Sequence, residues 1–513
     1  MSASAVRGEA AGVGSKEQSG PSSYFQILRS TILIGGSSML AILFAIIRNK
    51  AAALLVGPEG IGLMSLYTVL LELAQGTASL GMQSSGVRQI AEAAGNGNMH
   101  RAAVTAAVLR KSSLMLGAVG MALMLALCVP ITRVTFGDHA RVTGVALLAF
   151  AVLLRVLAGS QITLLQGTRQ IGLLARSNVL AAAFGTVATV PLLYFWGMAG
   201  IAPSLVAVTA ISLILSWYYA RRLELQPVVL SSQDVRRETS ALLKLGLAFL
   251  ASTLLTTGVA YAVRLLVLHS HGPTAAGFYQ AAWTIGGLYA GFVLQAMGAD
   301  FYPRLTAICE DNEACNRLVN EQAQIGMLLA GPGLLATLSL APLVIELFYS
   351  PQFHEAGDAL RWICLGMMLR VVAWPIGFII VAKGMQTIFV ATEVIATAVH
   401  FGSAWLLTPR FGATGAAAAY FGLYAFHIVL IYFIVRRLSG FRWSAANVRL
   451  GVLLFPAAAV VFGLFLVTSF WQATLIGSLI TLITSLYCLR SMMKLLPLES
   501  IPAPIRSRLL RTA

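Results

Sequence analysis

Along most of this chain the apolar residues come in long runs rather than in alternation. Runs of about 20 mainly apolar residues have the length a helix needs to cross a bilayer. They recur near 27–50, 61–87, 104–128, 142–166, 178–196 and 201–219. A polar stretch at 220–243 interrupts the series. It resumes near 244–268, 276–300, 323–345, 359–381, 389–407, 413–435, 450–469 and 473–489. Only helices and closed barrels satisfy the backbone in lipid, and the period-two pattern of barrel strands is missing. The pattern predicts an all-α integral membrane protein with about 14 transmembrane helices.

The runs repeat. At an offset of about 215 residues Gly57-Pro58 falls on Gly272-Pro273, Gly62 on Gly277 and Gly76 on Gly291. Leu154-Arg155-Val156 falls on Leu369-Arg370-Val371, and Gly197 and Gly200 fall on Gly412 and Gly415. One offset shared across several helices points to two pseudo-symmetric six-helix lobes, with two C-terminal helices outside the repeat. An even number of spans per lobe starts both copies on the same side, so an axis along the membrane normal relates them. The predicted organisation is a disordered cytoplasmic tail (1–24), an N-terminal lobe (25–219) and a cytoplasmic inter-lobe loop (220–243). A C-terminal lobe (244–437), two additional helices (438–490) and a basic cytoplasmic tail (491–513) follow.

Composition agrees with lipid as the solvent. Residues are 58% hydrophobic and 11% charged, against about 25% charged in soluble proteins. A net charge of +16 would suggest nucleic acid on a soluble protein. Here it reads as topology, and no nucleic-acid partner is expected. With the N-terminus inside, about 26 Lys and Arg fall on cytoplasmic segments and only Arg133, Arg141, Arg361 and Arg410 outside, as the positive-inside rule requires. Both termini are then cytoplasmic. The tail lacks a signal-peptide core, and the five cysteines form no disulfide framework.

Three segments carry a family resemblance. Leu55-Val56-Gly57-Pro58-Glu59-Gly60-Ile61-Gly62-Leu63 resembles the Wzx-type O-antigen and enterobacterial common antigen flippases. Gly277-Phe278-Tyr279-Gln280, running on to Tyr302-Pro303-Arg304-Leu305-Thr306, does so too, as does Leu347-Phe348-Tyr349-Ser350-Pro351-Gln352-Phe353. The resemblance spans roughly 25–435 and places the chain in the polysaccharide transporter branch of the multidrug/oligosaccharidyl-lipid/polysaccharide exporter superfamily. It implies two lobes around a central cavity in the bacterial inner membrane. It further implies alternating-access movement of an undecaprenyl-diphosphate-linked oligosaccharide to the periplasmic leaflet, in lipopolysaccharide biosynthesis or polysaccharide export. Membrane lipids, and a glycan polymerase with chain-length proteins, are the implied partners. Many members have twelve spans, whereas the related MurJ-type lipid II flippases have fourteen. A peptidoglycan-precursor flippase or a multidrug antiporter of the same superfamily therefore stays open.

The candidate chemistry lies in charges that apolar spans rarely hold. Arg48, Lys50, Arg155, Arg264 and Arg370 each cost about 2.5–3.5 kcal/mol at a helix centre on insertion scales, so they are expected to face a cavity or a partner. A lipid-linked diphosphate needs cations, and the guanidinium fork matches phosphate oxygens. Arg155 and Arg370 are repeat equivalents, and Arg264 falls beside the place the offset assigns to the Arg48/Lys50 pair. All five are candidate substrate-binding residues. The plainer reading is that Arg48 and Lys50 snorkel to the surface and the others brace helices. Glu72 and Glu393 are candidate ion-coupling residues, or partners of those cations. Asp300 reads as a structural anchor, and His400 and His427 as polar helix contacts. Trp196, Tyr261, Trp283, Tyr289 and Trp405 are candidates for stacking on sugars, or interfacial packing residues. His269-x-His271 is too sparse a pattern for a metal site.

No Walker motif, nucleophile elbow or zinc signature appears, so neither an enzyme nor a cofactor is expected. Five cations against two acids argue against an exporter of cationic drugs. A membrane glycosyltransferase needs clustered acids near the bilayer, and a polymerase needs a large outer loop. The short outer loops offer neither.

Overall fold

The computed structural model describes residues 23–495 apart from 138, 224–227 and 229. All regular elements among these residues are helical. The first group is α1 (Ser23–Ser79), α2 (Met82–Gly95), α3 (Met99–Ala126), α4 (Cys128–Phe136), α5 (Val142–Gly167), α6 (Ile171–Trp196) and α7 (Ile201–Ala220). The second is α8 (Ser232–Ala307), α9 (Asn312–Ser339), α10 (Ala341–Phe348), α11 (Ala356–Ala382) and α12 (Gln386–Ser439), followed by α13 (Ala445–Val467) and α14 (Phe470–Leu495). Within the first group α5 packs on α3 and α7, and α1 on α6. Within the second, α11 packs on α8, α9 and α12. The two groups meet chiefly where α1 crosses α8, while α13 and α14 rest on α9.

Among the described residues nine helical stretches are long and apolar enough to span a membrane, or ten if α9 and α10, bent by 87°, form one broken span. Four of the nine are double-length, between 40 and 54 residues. The sequence count of about fourteen takes each of these as two crossings. Glycine makes the breaks. α1 breaks at Gly57 (φ 63°, ψ −170°) and α8 at its repeat equivalent Gly272 (φ 80°, ψ −179°). α6 ends at Gly197 (φ 52°, ψ −130°), and α12 breaks at the equivalent Gly412 (φ 56°, ψ −132°). Positive φ with these ψ values is open almost only to glycine, so the internal repeat is written in the backbone itself.

The broken helices interlock. A Cβ on Gly62 would lie 2.1 Å from the Pro273 carbonyl oxygen, and one on Gly277 would lie 1.9 Å from that of Pro58. Each glycine thus accepts the freed carbonyl of the other lobe's kink. The contact is reciprocal because the two segments are copies.

Several boundaries differ from the sequence reading. The inter-lobe stretch 220–243 is not a loop throughout, since α8 starts at Ser232. Its first turns bury Leu242 and Glu238, whose Oε2 accepts a 3.1 Å hydrogen bond from Thr105 on α3. Local apolar content is too low there to read as a span, but neighbouring helices complete the burial. The second predicted span stops at Ser79, and a turn at Leu80-Gly81 leads into the amphipathic α2. The span placed at 323–345 divides into α9 and α10. Helices also run a turn or so past the apolar windows, because hydrogen bonding continues into the polar ends. Most of the predicted N-terminal tail, and 496–513 of the C-terminal one, lie outside the described residues.

Polar contacts fix the two extra helices. Without a hydrophobic force between helices in lipid, packing and interhelical hydrogen bonds decide association. Asn447 on α13 donates to the backbone oxygen and to Oδ1 of Asn320 on α9, both at 2.9 Å. Ser339 on α9 meets Thr481 on α14 at 2.9 Å. Asn447→Ala removes both of these interhelical hydrogen bonds, each contributing about 0.5–1.5 kcal/mol. A lower melting temperature of the detergent-purified protein is the expected result.

Candidate functional site: a chain of arginine-lined cavities

Three cavities adjoin one another through the middle of the molecule. The first, about 570 Å³, lies among α1, α5 and α7, with Arg48, Glu72, Gln75, Gln83 and Arg155 on its wall. The second, about 300 Å³, lies where α1 meets α8 and shares Arg48, Thr68 and Glu72 with the first. It shares Arg264 and Trp283 with the third, about 230 Å³, which also holds Arg370, Glu393, Tyr420 and Tyr424. Four arginines and two glutamates, all expected from the sequence, therefore line a series of three neighbouring cavities, with a surplus of two positive charges.

Helical spacing aims these groups. On the second half of α1, Met64, Thr68, Glu72 and Gln75 stand three or four residues apart and share a face; all four line the first cavity. Arg155 on α5 reaches across to Glu72, Nη2 to Oε1 3.5 Å, with both side chains partly open to the cavity. Arg48 is held differently. Its Nε is buried and has no hydrogen-bond partner among the described residues. A buried cationic donor without a partner is costly, and an anion in the cavity could satisfy it.

Arg264 is almost fully buried and well braced. Its Nε and Nη2 donate to Gln280 Oε1 at 3.2 and 2.9 Å, and Nη1 donates to the Ala260 carbonyl at 3.0 Å. Its guanidinium lies 5.7 Å from the centre of the Tyr279 ring and 5.8 Å from that of Trp283. Arg370 Nη1 lies 3.4 Å from the Tyr420 hydroxyl, and its guanidinium sits 6.0 Å from the Tyr424 ring centre. The C-terminal half of the space is thus an aromatic cage around two arginines. His400 and His427 line it too, each with one ring nitrogen unpartnered among the described residues.

Lys50 is not part of this arrangement. Two residues along a helix turn the side chain by about 200°, so Arg48 and Lys50 face opposite ways. Lys50 Nζ donates at 2.6 Å to the carbonyl of Glu346 in the last turn of α10, where a cation suits the helix C-terminus. Of the aromatic candidates, Trp283 lines two of the cavities. Tyr261 bonds Thr135 at 2.6 Å beside an apolar groove, and Trp196 and Trp405 lie exposed on the outside. The side chains of Tyr289 and Asp300 lie outside the described residues. His269 Nε2 meets the Thr135 carbonyl at 3.2 Å, and among the described residues no cluster of three His, Cys, Asp or Glu could hold a metal.

Sequence reasoning missed Gln83, Tyr420 and Tyr424. Gln83 Nε2 donates to the Val156 carbonyl beside Arg155. Nothing separates these side chains from ordinary span residues in the sequence. Gln280 did carry a signal, because it closes the Gly277-Phe278-Tyr279-Gln280 segment.

A family model described as polysaccharide biosynthesis protein matches residues 52–358. This chain belongs to that family. It is 23% identical over 412 residues to the Lipid III flippase of Escherichia coli (strain K12), an alignment that covers 79% of this chain and 96% of the relative. Its fold is similar to that of the Lipid II flippase MurJ in an inward closed conformation. The TM-score is 0.68 at 13% identity, over 90% of this chain and 100% of that one. An inward-facing multidrug resistance MATE family transporter of the MOP superfamily is also similar, with a TM-score of 0.59 at 17% identity, over 80% of this chain and 98% of that one. The chain is a multi-pass membrane protein of transporter fold.

Proposed function

We propose that this protein is a flippase. It carries an undecaprenyl-diphosphate-linked oligosaccharide, an O-antigen, common-antigen or related surface-glycan intermediate, from the cytoplasmic to the periplasmic leaflet of the inner membrane. The single observation that carries this reading is the series of neighbouring cavities whose four arginines outnumber two glutamates across both halves of the molecule. The similarity to a protein named Lipid III flippase supports it. Arg48 and Arg264 stand where the first and third cavities join the second, so a diphosphate there touches both lobes. Arg155 and Arg370 flank it, and Lys50 is assigned to the outer seam rather than to the substrate. Both termini are placed in the cytoplasm, with about fourteen crossings, by the bias of Lys and Arg. A glycan polymerase and chain-length proteins would act on the product.

The opposite charge surplus would suit a drug cation, so the antiporter reading is disfavoured. Alternating access would rock the two lobes, leaving the polyprenyl tail in lipid. Once the anion leaves, the arginines repel one another, and Glu72 is positioned to ease the return by holding Arg155. Glu72→Gln is expected to slow turnover severalfold while substrate binding stays nearly intact. Unchanged turnover, measured in vesicles beside binding, would reduce Glu72 to a helix contact.

A further inference from the structure

A fourth cavity, about 590 Å³, lies among α8, α10, α11, α12 and the α13–α14 connection. This volume lies within the range of ligand pockets. Its polar wall includes His271 on α8 and His354, Glu355, Asp358 and Arg361, at and just before the start of α11. Its apolar wall is Phe278 on α8, Phe411 beside the break of α12, and Phe465 and Phe470 near the α13–α14 connection. Arg361 is only 7% exposed. Its guanidinium lies 3.7 Å from the Phe465 ring centre, and Nη1 donates to Asp358 Oδ1 at 2.5 Å. Its Nε is buried without a partner among the described residues.

Three rings separate this vestibule from the arginine-lined space. Phe278 lines the vestibule and packs edge-on against the fully buried Phe353, 6.1 Å between ring centres. Phe353 stands 5.0 Å from Tyr349, and Tyr349 lines the cavity that holds Arg48 and Arg264. Packed aromatic rings therefore stand between the vestibule and that space, and the positive-inside reading of the loops, which puts Arg361 and Arg410 outside, assigns the vestibule to the periplasmic side.

Its chemistry differs from that of the inner space. Two carboxylates face one arginine, so a diphosphate is repelled. Five charged or imidazole groups make it a poor seat for a hydrocarbon tail. Hydroxyl groups can donate to Glu355 and Asp358 and accept from the unpartnered Arg361 Nε. The C–H faces of sugar rings can pack on the phenyl rings, as ligands do in pockets that join aromatic walls to a few aimed polar groups.

We propose that this vestibule is a saccharide-binding site on the release side, where the glycan lodges as its diphosphate still occupies, or has just left, the inner cavity. The proposal rests on the flippase reading. The test uses purified full-length protein in nanodiscs. Its probe is the cell's own lipid-linked glycan freed of polyprenyl diphosphate by mild acid, titrated as a soluble oligosaccharide and followed by calorimetry. Wild type should bind saturably. Phe411→Ala and Glu355→Gln, both at exposed positions, should each weaken binding at least tenfold, and Arg361→Gln should do so if it folds. Arg48→Ala should bind the free glycan as wild type does. No binding by wild type, or equal binding by the vestibule variants, overturns the proposal. Retained binding by a wild-type protein that flips no lipid-linked glycan would overturn the flippase reading alone.

Discussion

Arg48→Ala is expected to lower glycan flipping at least tenfold without lowering the amount of inserted protein, whereas Lys50→Ala is expected to leave flipping near the wild-type level. The two residues differ by two positions and share a charge, but only Arg48 lies on the cavity wall. Its buried Nε is unpartnered among the described residues. Hydrogen bonds to charged groups contribute about 1.5–3 kcal/mol, equivalent to roughly 10-fold to 150-fold in binding. Lys50 instead donates to the Glu346 carbonyl, a contact with the helix end that needs no substrate. Arg48→Lys separates charge from geometry. It should fall between wild type and alanine, because lysine keeps the charge but loses the planar fork. Flipping rates in vesicles, normalised to reconstituted protein, provide the check. Equal loss at Arg48 and Lys50 would contradict the placement.

The second large effect is expected at the reciprocal seam of the two kinks. Gly277→Ala puts a methyl group where the Pro58 carbonyl oxygen lies, 1.9 Å from the new Cβ, and Gly62→Ala does the same against Pro273. Backbone cannot yield as a flexible side-chain tip can, so α1 and α8 must part. Either substitution should hold the outer seam open and reduce flipping at least tenfold. A cysteine at Thr284, on the wall of the second cavity, should then react faster with a membrane-impermeant maleimide added outside. Gly291→Ala is the control, since among the described residues no atom lies within 4 Å of its added Cβ. Normal flipping by Gly277→Ala would mean that the seam is not part of the transport cycle.

Lipid made much of this fold legible. It forces the backbone into helices and tolerates few charges, so apolar runs located the spans, and stray cations and acids located most of the cavity walls. The repeat was legible because glycine alone supports the breaks at Gly57 and Gly272. What escaped depended on angle or on partners. The Arg48/Lys50 pair looked like one site until the 200° turn between them was seen to send Lys50 to α10. The start of α8 looked like loop because its burial comes from α2 and α3 rather than from its own composition. Tyr420 and Tyr424 were invisible because an aromatic residue on a cavity wall reads like one in packing.

The central claim is translocation, and flipping by the purified protein measures it directly. Proteoliposomes carrying fluorescent undecaprenyl-diphosphate oligosaccharide can be probed with a membrane-impermeant glycosidase that cleaves only the exposed leaflet. An inside-negative potential favours outward movement of an anion by about 2.3 kcal/mol per net charge per 100 mV. The account predicts that wild-type protein exposes the protected glycan far faster than empty vesicles do, that the imposed potential accelerates it, and that Arg48→Ala abolishes most of the gain. Wild-type vesicles that expose glycan no faster than protein-free ones, with the protein folded and correctly inserted, would contradict it.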